Sequence, residues 1–407
     1  MERKGEVLVG LDVGTSKVAC VIAEVGGDGK VDVIGMGRHP SRGMRKGVVT
    51  NIEATIEAIG HAVQEAEAMS GIEVRSVITG IAGAHIESRS SHGVVRTRHD
   101  EVTPEDVQRV IDAAKAMKLP EDRQVLHVLP QQFIIDGQDG VPDPVGMSGV
   151  RLEVDVHVIT AAASAVQNLI KCCTRCGLDV VDVVLEQLAS AEAVLSDDER
   201  EMGVAVIDIG GGTTDVAVFL DGAIRYTGVV PIAGDHMTRD LVVGLRTATK
   251  AAEELKIRHG ACLVELSDAE EVVEVPSVGG RPPRQVPRQV IAQILDARVH
   301  ELFEYVRMEL SKSNYYELLS GGVVLTGGAS QLPGMLAVAE DVLGLQARLG
   351  RPQGVGGLSD VVAHPEYATS VGLLLYARRY RSSGAFAAPK RMGWWQRFKR
   401  WFALGAD

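Results

Sequence analysis

The stretch Val204-Ala205-Val206-Ile207-Asp208-Ile209-Gly210-Gly211-Gly212-Thr213-Thr214-Asp215-Val216-Ala217-Val218-Phe219 leaves a folding chain few choices. Two apolar, β-branched runs flank three glycines, which predicts a buried strand, a tight turn and a second buried strand. Asp208 falls where the first strand ends; Thr213, Thr214 and Asp215 begin the return. A turn so rich in glycine lets backbone N–H groups converge on an anion. The hydroxyls of Thr213 and Thr214 add donors, and the Asp208 carboxylate suits a divalent metal that keeps its water shell. Residues 7–22 repeat the design, with Asp12 at the strand end and Gly14, Thr15, Ser16 and Lys17 in the turn. The separation is no solenoid period. It implies two related half-domains, each lending a hairpin and a carboxylate to a shared cleft. The alternative is two tight hairpins whose aspartates satisfy only their own turn amides.

A chain of 407 residues exceeds one hydrophobic core, so at least two domains are expected. Its composition, 45% hydrophobic and 24% charged, is that of a soluble globular protein. The net charge of −12 speaks against a nucleic-acid-binding body, and no nucleic-acid partner is expected. Five cysteines without framework spacing fit a reducing cytosol. Cys172, Cys173 and Cys176 lack a partner pair and fall on a predicted helix, so they read as packing rather than as a metal site. No signal peptide opens the chain, and no apolar run reaches membrane-spanning length.

Along the chain, Thr50-Asn51-Ile52-Glu53 reads as a capping box opening a helix to about Met69, with Ile52, Ile56, Ile59 and Val63 as its buried stripe. A strand over 74–82 follows, so strands and helices alternate as in an α/β domain. From about Ala84 to Ala162 the pattern becomes a small α/β insertion. Thr103-Pro104-Glu105-Asp106 caps a helix there, and strands are predicted over 124–135 and 149–160 around a loop with Pro142 and Pro144. No chemistry is legible in it, and a partner or self-association surface is expected. A helix over 164–176 stops at Gly177. After a strand over 180–185, Glu186 opens a helix of small residues suited to joining two halves at close range. Glu186 then faces the cleft as a water- or metal-orienting group, or is a surface acid.

In the second half, Gly234-Asp235 opens a helix whose mouth suits a phosphate. A further helix over 249–258 carries Glu253 and Lys256 on one face, as a solvated ion pair or as a polar clamp around a nucleoside. The segment 267–288 is turn-rich, with β-like Glu271–Val275 and Arg281-Pro282-Pro283-Arg284 in it, and a long helix runs over about 290–313. Gly327, Gly328, Ala329 and Ser330 end a buried strand, where a flat base or ribose fits against bare backbone, or where strand and helix pack tightly. The last folded helix, over about 366–379, again begins with small residues, Ala368, Ser370 and Gly372.

These elements, in this order, resemble the actin, Hsp70 and sugar-kinase ATPase superfamily. The fold class so implied is α/β: duplicated actin-like (ribonuclease H-like) domains around a nucleotide cleft, with inserted small subdomains. The resemblance implies ATP with Mg2+ as cofactors. Phosphates would rest on Gly14, Thr15, Ser16, Lys17, Gly210, Gly211, Gly212, Thr213, Thr214, Gly234 and Asp235. Adenosine would lie against Glu253, Lys256, Gly327, Gly328, Ala329 and Ser330. Asp12 and Asp208 would hold the metal through water, and Glu186 is the candidate for orienting a water, with hydrolysis weak or absent. Within the superfamily the chain resembles the FtsA family of bacterial cell-division proteins over essentially its full length. The insertion over 84–162, the stretch Leu255-Lys256-Ile257-Arg258-His259-Gly260 with the Pro/Arg-rich segment after it, and a short amphipathic tail carry that resemblance. It implies one core subdomain from 1–83 and 163–195, a second from 196–234 and 314–380, an outer subdomain at 235–313, a linker at 381–391 and a membrane-targeting helix at 392–407. It also implies actin-like protofilaments, other divisome proteins as partners, and the C-terminal tail of the tubulin-like protein FtsZ held near Arg298. The location implied is the cytoplasmic face of the bacterial inner membrane at the division site.

The tail reads on its own physics. All three tryptophans lie in it, and only 4% of the chain is aromatic. At helical pitch Trp394, Trp395, Phe398, Trp401 and Phe402 share one face, with Lys399 and Arg400 turned away. This is the composition of a helix lying in an anionic lipid interface; docking on the protein core is the alternative. For the whole chain the competing functions are a small-molecule kinase of the same fold and a pilus-assembly relative.

Overall fold

The computed structural model describes residues 6–268 and 270–382. The linker from 383 onward and the tail residues Trp394, Trp395, Phe398, Lys399, Arg400, Trp401 and Phe402 lie outside the described residues.

Two sheets of like design form the body. In the first the strand order is Asp179–Leu185, Ser76–Ile81, Glu6–Val13, Lys17–Val25, Val31–Pro40 and Gly356–Gly357. In the second it is Ala223–Val230, Thr214–Leu220, Val204–Ile209, Val323–Thr326 and Ala347–Leu349. Each sheet centres on a strand that pairs antiparallel with the next strand in sequence and parallel with a later one. Val18 to Ala23 and Val216 to Val218 are buried on both faces, which is why these strands read as continuous apolar runs rather than alternating ones. Helix Ile52–Ser70 and helix Ala163–Arg175 cover the first sheet through Ile59, Ala62 and Leu169. Helix Arg288–Lys312 covers the second through Leu302, Phe303 and Val306.

Between the sheets run two connecting helices, Glu186–Val194 and Ala368–Ser382. They cross with backbone against backbone: a Cβ on Gly372 would lie 1.8 Å from the carbonyl oxygen of Ala189. The small residues expected at both helix starts exist for this contact. Beyond strand Ala347–Leu349 the chain returns to the first sheet. The Gln353 N–H donates to Ala193 O (2.9 Å), and Gly356–Gly357 pairs in parallel with Asp32 and Val33.

The insertion has its own core, with Val110 and Ile111 of helix Pro104–Lys115 packed on Phe133, Val154 and Val156. Its sheet runs Ile86–Arg96, Arg151–Ala162, Arg123–Ile135, Gln138–Val141. It leans on the edge strand of the second sheet, where Gln131 Nε2 donates to Ile224 O (3.0 Å) and Ser88 Oγ to Thr227 O (3.1 Å).

Several expectations shift. The first helix is capped by Asn51, whose side chain accepts the Ala54 N–H, because Thr50 donates instead to Gly43 O and Glu53 is held by Arg175. Strand Val31–Pro40 escapes sequence reading because Gly35 and Gly37 interrupt its pattern; helix Ile52–Ser70 crosses so close that a Cβ on Gly37 would meet Ala62 O at 2.0 Å. The β-like stretch expected after Ser267 forms, as strand Val272–Val275, and gains a partner that the sequence reading lacks, Arg284–Pro287. Among the described residues no helix is long and apolar enough to cross a membrane.

Gly372→Ala is expected to lower the unfolding free energy by about 3 kcal/mol in urea denaturation, since neither backbone at the crossing can yield cheaply. Gly60→Ala on helix Ile52–Ser70 meets open space and is expected to raise it by about 0.5–1 kcal/mol.

Candidate functional site

The two glycine hairpins face each other across a cleft of about 720 Å³. In each, the first glycine closes the turn the same way: the Gly14 N–H donates to Lys17 O (3.0 Å) and the Gly210 N–H to Thr213 O (3.1 Å). Their tips touch. A Cβ on Gly211 would stand 2.0 Å from Ser16 Oγ, and one on Gly212 would stand 2.6 Å from Thr15 Oγ1. Any larger residue would wedge the halves apart, so the loops approach only because both positions are glycine.

Four carboxyl groups, Asp12, Glu186, Asp208 and Asp215, line the cleft beside the loops. Lys17 Nζ donates to Asp12 (3.3 Å). Asp208 accepts from Ser190 Oγ (2.6 Å) on one connecting helix and Thr369 Oγ1 (3.4 Å) on the other. Asp215, opposite Asp208 in the strand register, accepts from Gln187 Nε2 (2.9 Å) and Thr213 Oγ1 (3.1 Å). Burial, and then the neighbouring Asp12, Asp215 and Asp208, push the Glu186 carboxyl well above the usual carboxylate range. Burial followed by Asp208 pushes Asp215 up to about 8; burial chiefly, with Asp12, raises Asp208. Burial alone would lower the Lys17 ammonium, but Asp12, Glu366 and Asp208 together raise it. So dense a cluster is relieved by protons or by a bound cation. Among the described residues no three His, Cys, Asp or Glu side chains are grouped closely enough to hold a metal by themselves.

At the far end of the cleft the walls turn apolar with Met237, Ile257, Leu332 and Pro333, beside Gly327, Gly328 and Ala329. Lys256 is not solvated. Its ammonium reaches Glu253 (2.7 Å), Thr238 Oγ1 (2.8 Å) and Gly234 O (3.1 Å), rooting helix Thr249–His259 on helix Gly234–Leu245.

The structure brings together Asp12, Gly14, Thr15, Ser16, Lys17, Glu186, Asp208, Gly210, Gly211, Gly212, Thr213, Gly234, Asp235, Glu253, Lys256, Gly327, Gly328 and Ala329 around one cavity. It corrects three readings. The Thr214 side chain is fully buried and donates to Ile232 O (2.7 Å), because strand alternation turns it away from the cleft that Thr213 faces. Ser330 is buried, and its hydroxyl closes its own loop onto Gly327 O (2.7 Å). Gly234 and Asp235 line the cleft, but their N–H groups are taken by Gly210 O (3.0 Å) and Gly211 O (2.8 Å), so the helix mouth braces the loop. Arg298, expected near a partner's tail, is paired with Asp240 (2.5 and 3.0 Å) and with Glu301.

Other groups went unread. Asp215 stood in the motif itself, and its pairing with Asp208 was the available signal. Gln187 and Thr369 sit beside recognised residues at the mouths of the connecting helices. Arg38, which reaches Glu366 (3.3 Å), lies on the strand whose glycines hid it.

Two glycine hairpins on duplicated sheets, a carboxylate floor and a pair of crossing helices define a two-lobed actin-like protein. Solved structures agree on the fold. The PilM–PilN type IV pilus biogenesis complex superposes with a TM-score of 0.67 at 18% identity, covering 91% of this chain and 98% of that one. MreB5 of Spiroplasma citri bound to AMPPNP gives 0.56 at 14% identity, covering 94% and 98%. The family described as "Cell division protein FtsA" matches residues 205–372, and the "SHS2 domain inserted in FTSA" matches residues 83–160. Proteins named "Cell division protein FtsA" are similar along nearly the whole chain. The one from Pseudomonas aeruginosa is 52% identical over 382 residues, covering 94% of this chain and 92% of that one. The one from Neisseria meningitidis is 49% identical over 375 residues (92% and 91%), and the one from Escherichia coli is 41% identical over 408 (97% of each). The chain belongs to the FtsA family of cell-division proteins.

One buried histidine sets the joint that carries Glu186. His127 Nε2 accepts the Leu185 N–H (3.0 Å), which only a neutral ring can do. Burial pulls His127 down to about 4, and likewise His157, whose Nε2 lies 3.1 Å from Thr227 Oγ1. Both rings stay neutral in the folded state, while the unfolded chain takes up protons near pH 6.5. Their contribution is therefore complete above that pH and is lost as pH falls toward 4, by up to about 3 kcal/mol each. The raised carboxyls Glu186, Asp208 and Asp215 act in the opposite sense over the same range, so the histidine share is read as a difference: denaturant titrations should show His127→Gln, which keeps the acceptor and cannot titrate, gaining stability relative to wild type as pH falls from 7 to 4.

Proposed function

We propose that the cleft binds ATP with magnesium and that the protein polymerises on the inner membrane and anchors FtsZ to it. The close approach of Gly211 and Gly212 to Ser16 and Thr15, above buried carboxylates, is the observation that carries the nucleotide reading. Such paired glycine turns suit a polyphosphate held from both sides. The donor set also suits magnesium, which is commonly held by one or two carboxylates through water together with phosphate oxygens. A magnesium ion, when bound, supplies the positive charge that a triphosphate and four carboxyl groups together require. Lys17 would contribute a fixed cation at the first loop, and Asp12 and Asp208 would hold the metal through water. Ser190 and Thr369 keep Asp208 aimed from both connecting helices, so the charge state of the cleft is tied to the helix crossing. Burial and then the neighbouring aspartates disfavour the charged form of Glu186, which counts against it as a ready base and supports weak or absent hydrolysis. The apolar end near Ile257 and Leu332 takes the base, with Glu253 beside the ribose.

The nucleotide-bound forms of MreB5, with ADP and with AMPPNP, support the same use of the fold here. The family's cell-division role, together with a tail of Trp394, Trp395, Phe398, Trp401 and Phe402 flanked by Lys399 and Arg400, supports an anchor on anionic lipid. Each large aromatic contributes up to roughly 2 kcal/mol on burial, against the cost of ordering the helix. One tail is a weak anchor, and many on one filament bind far more tightly through effective concentration. Polymerisation and membrane residence are therefore coupled. The FtsZ tail is assigned to the outer subdomain around Arg298, whose ion pairs with Asp240 and Glu301 must then open toward the partner.

Asp208→Ala is expected to weaken magnesium-dependent ATP binding by about tenfold or more, read with a fluorescent ATP analogue; affinity equal to wild type would remove the metal role. Trp395→Glu is expected to abolish co-sedimentation with anionic liposomes while ATP binding survives, and unchanged sedimentation would count against the anchor.

A further inference from the structure

The inserted module is fastened to the cleft itself. The first fastening is the turn at Lys46 and Gly47, between the short strands Met44–Arg45 and Val48–Val49. Both turn residues have positive φ, 51° and 76°. On one side the turn touches both glycine hairpins. The Gly47 N–H donates to Thr15 Oγ1 (3.2 Å), and a Cβ on Gly212 would stand 3.0 Å from the Lys46 nitrogen. On its other side it lies on Ala82 and Gly83, where the chain leaves for the module. A Cβ on Gly47 would meet Ala82 O at 2.3 Å, and one on Gly83 would meet Lys46 O at 2.7 Å.

The second fastening is His127, on module strand Arg123–Ile135. It accepts the Leu185 N–H one residue before Glu186, and its ring lies edge-on to Tyr376 of the second connecting helix, centroids 6.0 Å apart. The third is the docking of Gln131 and Ser88 on the edge strand of the other lobe. The module thus touches both lobes, and the turn at its root touches both hairpins. The contacts at the root are backbone against backbone, so a shift of the hairpins is passed on rather than absorbed by flexible side chains.

We infer that occupancy of the cleft and placement of the inserted module form one coupled equilibrium. A terminal phosphate entering between Thr15 and Gly212 displaces the Lys46–Gly47 turn, and with it Ala82 and Gly83. The module's strands are then held differently with a triphosphate than with a diphosphate. By linkage, a partner that grips the module changes the preference of the cleft for ATP over ADP by the same factor. This rests on the nucleotide reading of the cleft.

The test is amide hydrogen exchange of the full chain with ATP and magnesium against ADP and magnesium, with binding of each nucleotide titrated separately. Peptides over 84–96 and 123–135 are expected to differ between the two by about fivefold or more in rate, while helix Met335–Leu343 does not change. Gly83→Ala and His127→Leu are expected to abolish that difference with ATP affinity kept within about threefold, and His127→Gln, which still accepts the Leu185 N–H, to retain it. Wild-type protein that binds both nucleotides with identical module exchange would overturn the inference, as would either disrupting variant responding like wild type. Wild-type protein that binds neither nucleotide would overturn the nucleotide reading first, and this inference with it.

Discussion

Everything in the body depends on two helices meeting with no side chain between them. At Gly372 and Ala189 the connecting helices share one backbone surface, so the lobes sit as close as two polypeptides can. That distance lets Ser190 from one helix and Thr369 from the other reach the same carboxylate, Asp208. It also brings the hairpin tips into contact. A wider crossing would separate Ser16 from Gly211 and Thr15 from Gly212, and the cleft would lose its two-sided grip.

The second constraint is electrostatic. Placing Glu186, Asp208 and Asp215 under a low-dielectric roof crowds like charges together, and burial with that crowding raises all three carboxyls. Seven carboxyl groups line the cavity, against the lysines and arginine Lys17, Lys256 and Arg38 and one histidine, His364. Lys17 lies beside Asp12 and Lys256 beside Glu253. On this balance of charge, an anionic ligand would need cations to accompany it.

The hairpins, the insertion and most helices were legible because each rests on local chemistry: β-branched runs, glycine turns and small residues at helix mouths. What stayed hidden depends on partners distant in the chain. Thr213 and Thr214 look alike in sequence, yet strand alternation sends one into the cleft and buries the other against Ile232. Gly35 and Gly37 look like strand breakers until helix Ile52–Ser70 is seen lying on them. The ion pair of Arg298 is invisible in sequence because Asp240 is 58 residues away. Asp215 could have been read, since a second carboxylate facing Asp208 across one hairpin is an arrangement burial makes costly.

The two-residue strand Gly356–Gly357 is small, but its position matters. It stitches chain returning from the second lobe onto the outer edge of the first sheet, and the neighbouring Gln353 is tied to the end of the first connecting helix. Beside the helix crossing this makes a further seam, set apart from it in the body. A joint secured along a line can swing, but it cannot glide without breaking the seam. A movement of the lobes that kept both the crossing and this seam would have to be a turn about the line that joins them.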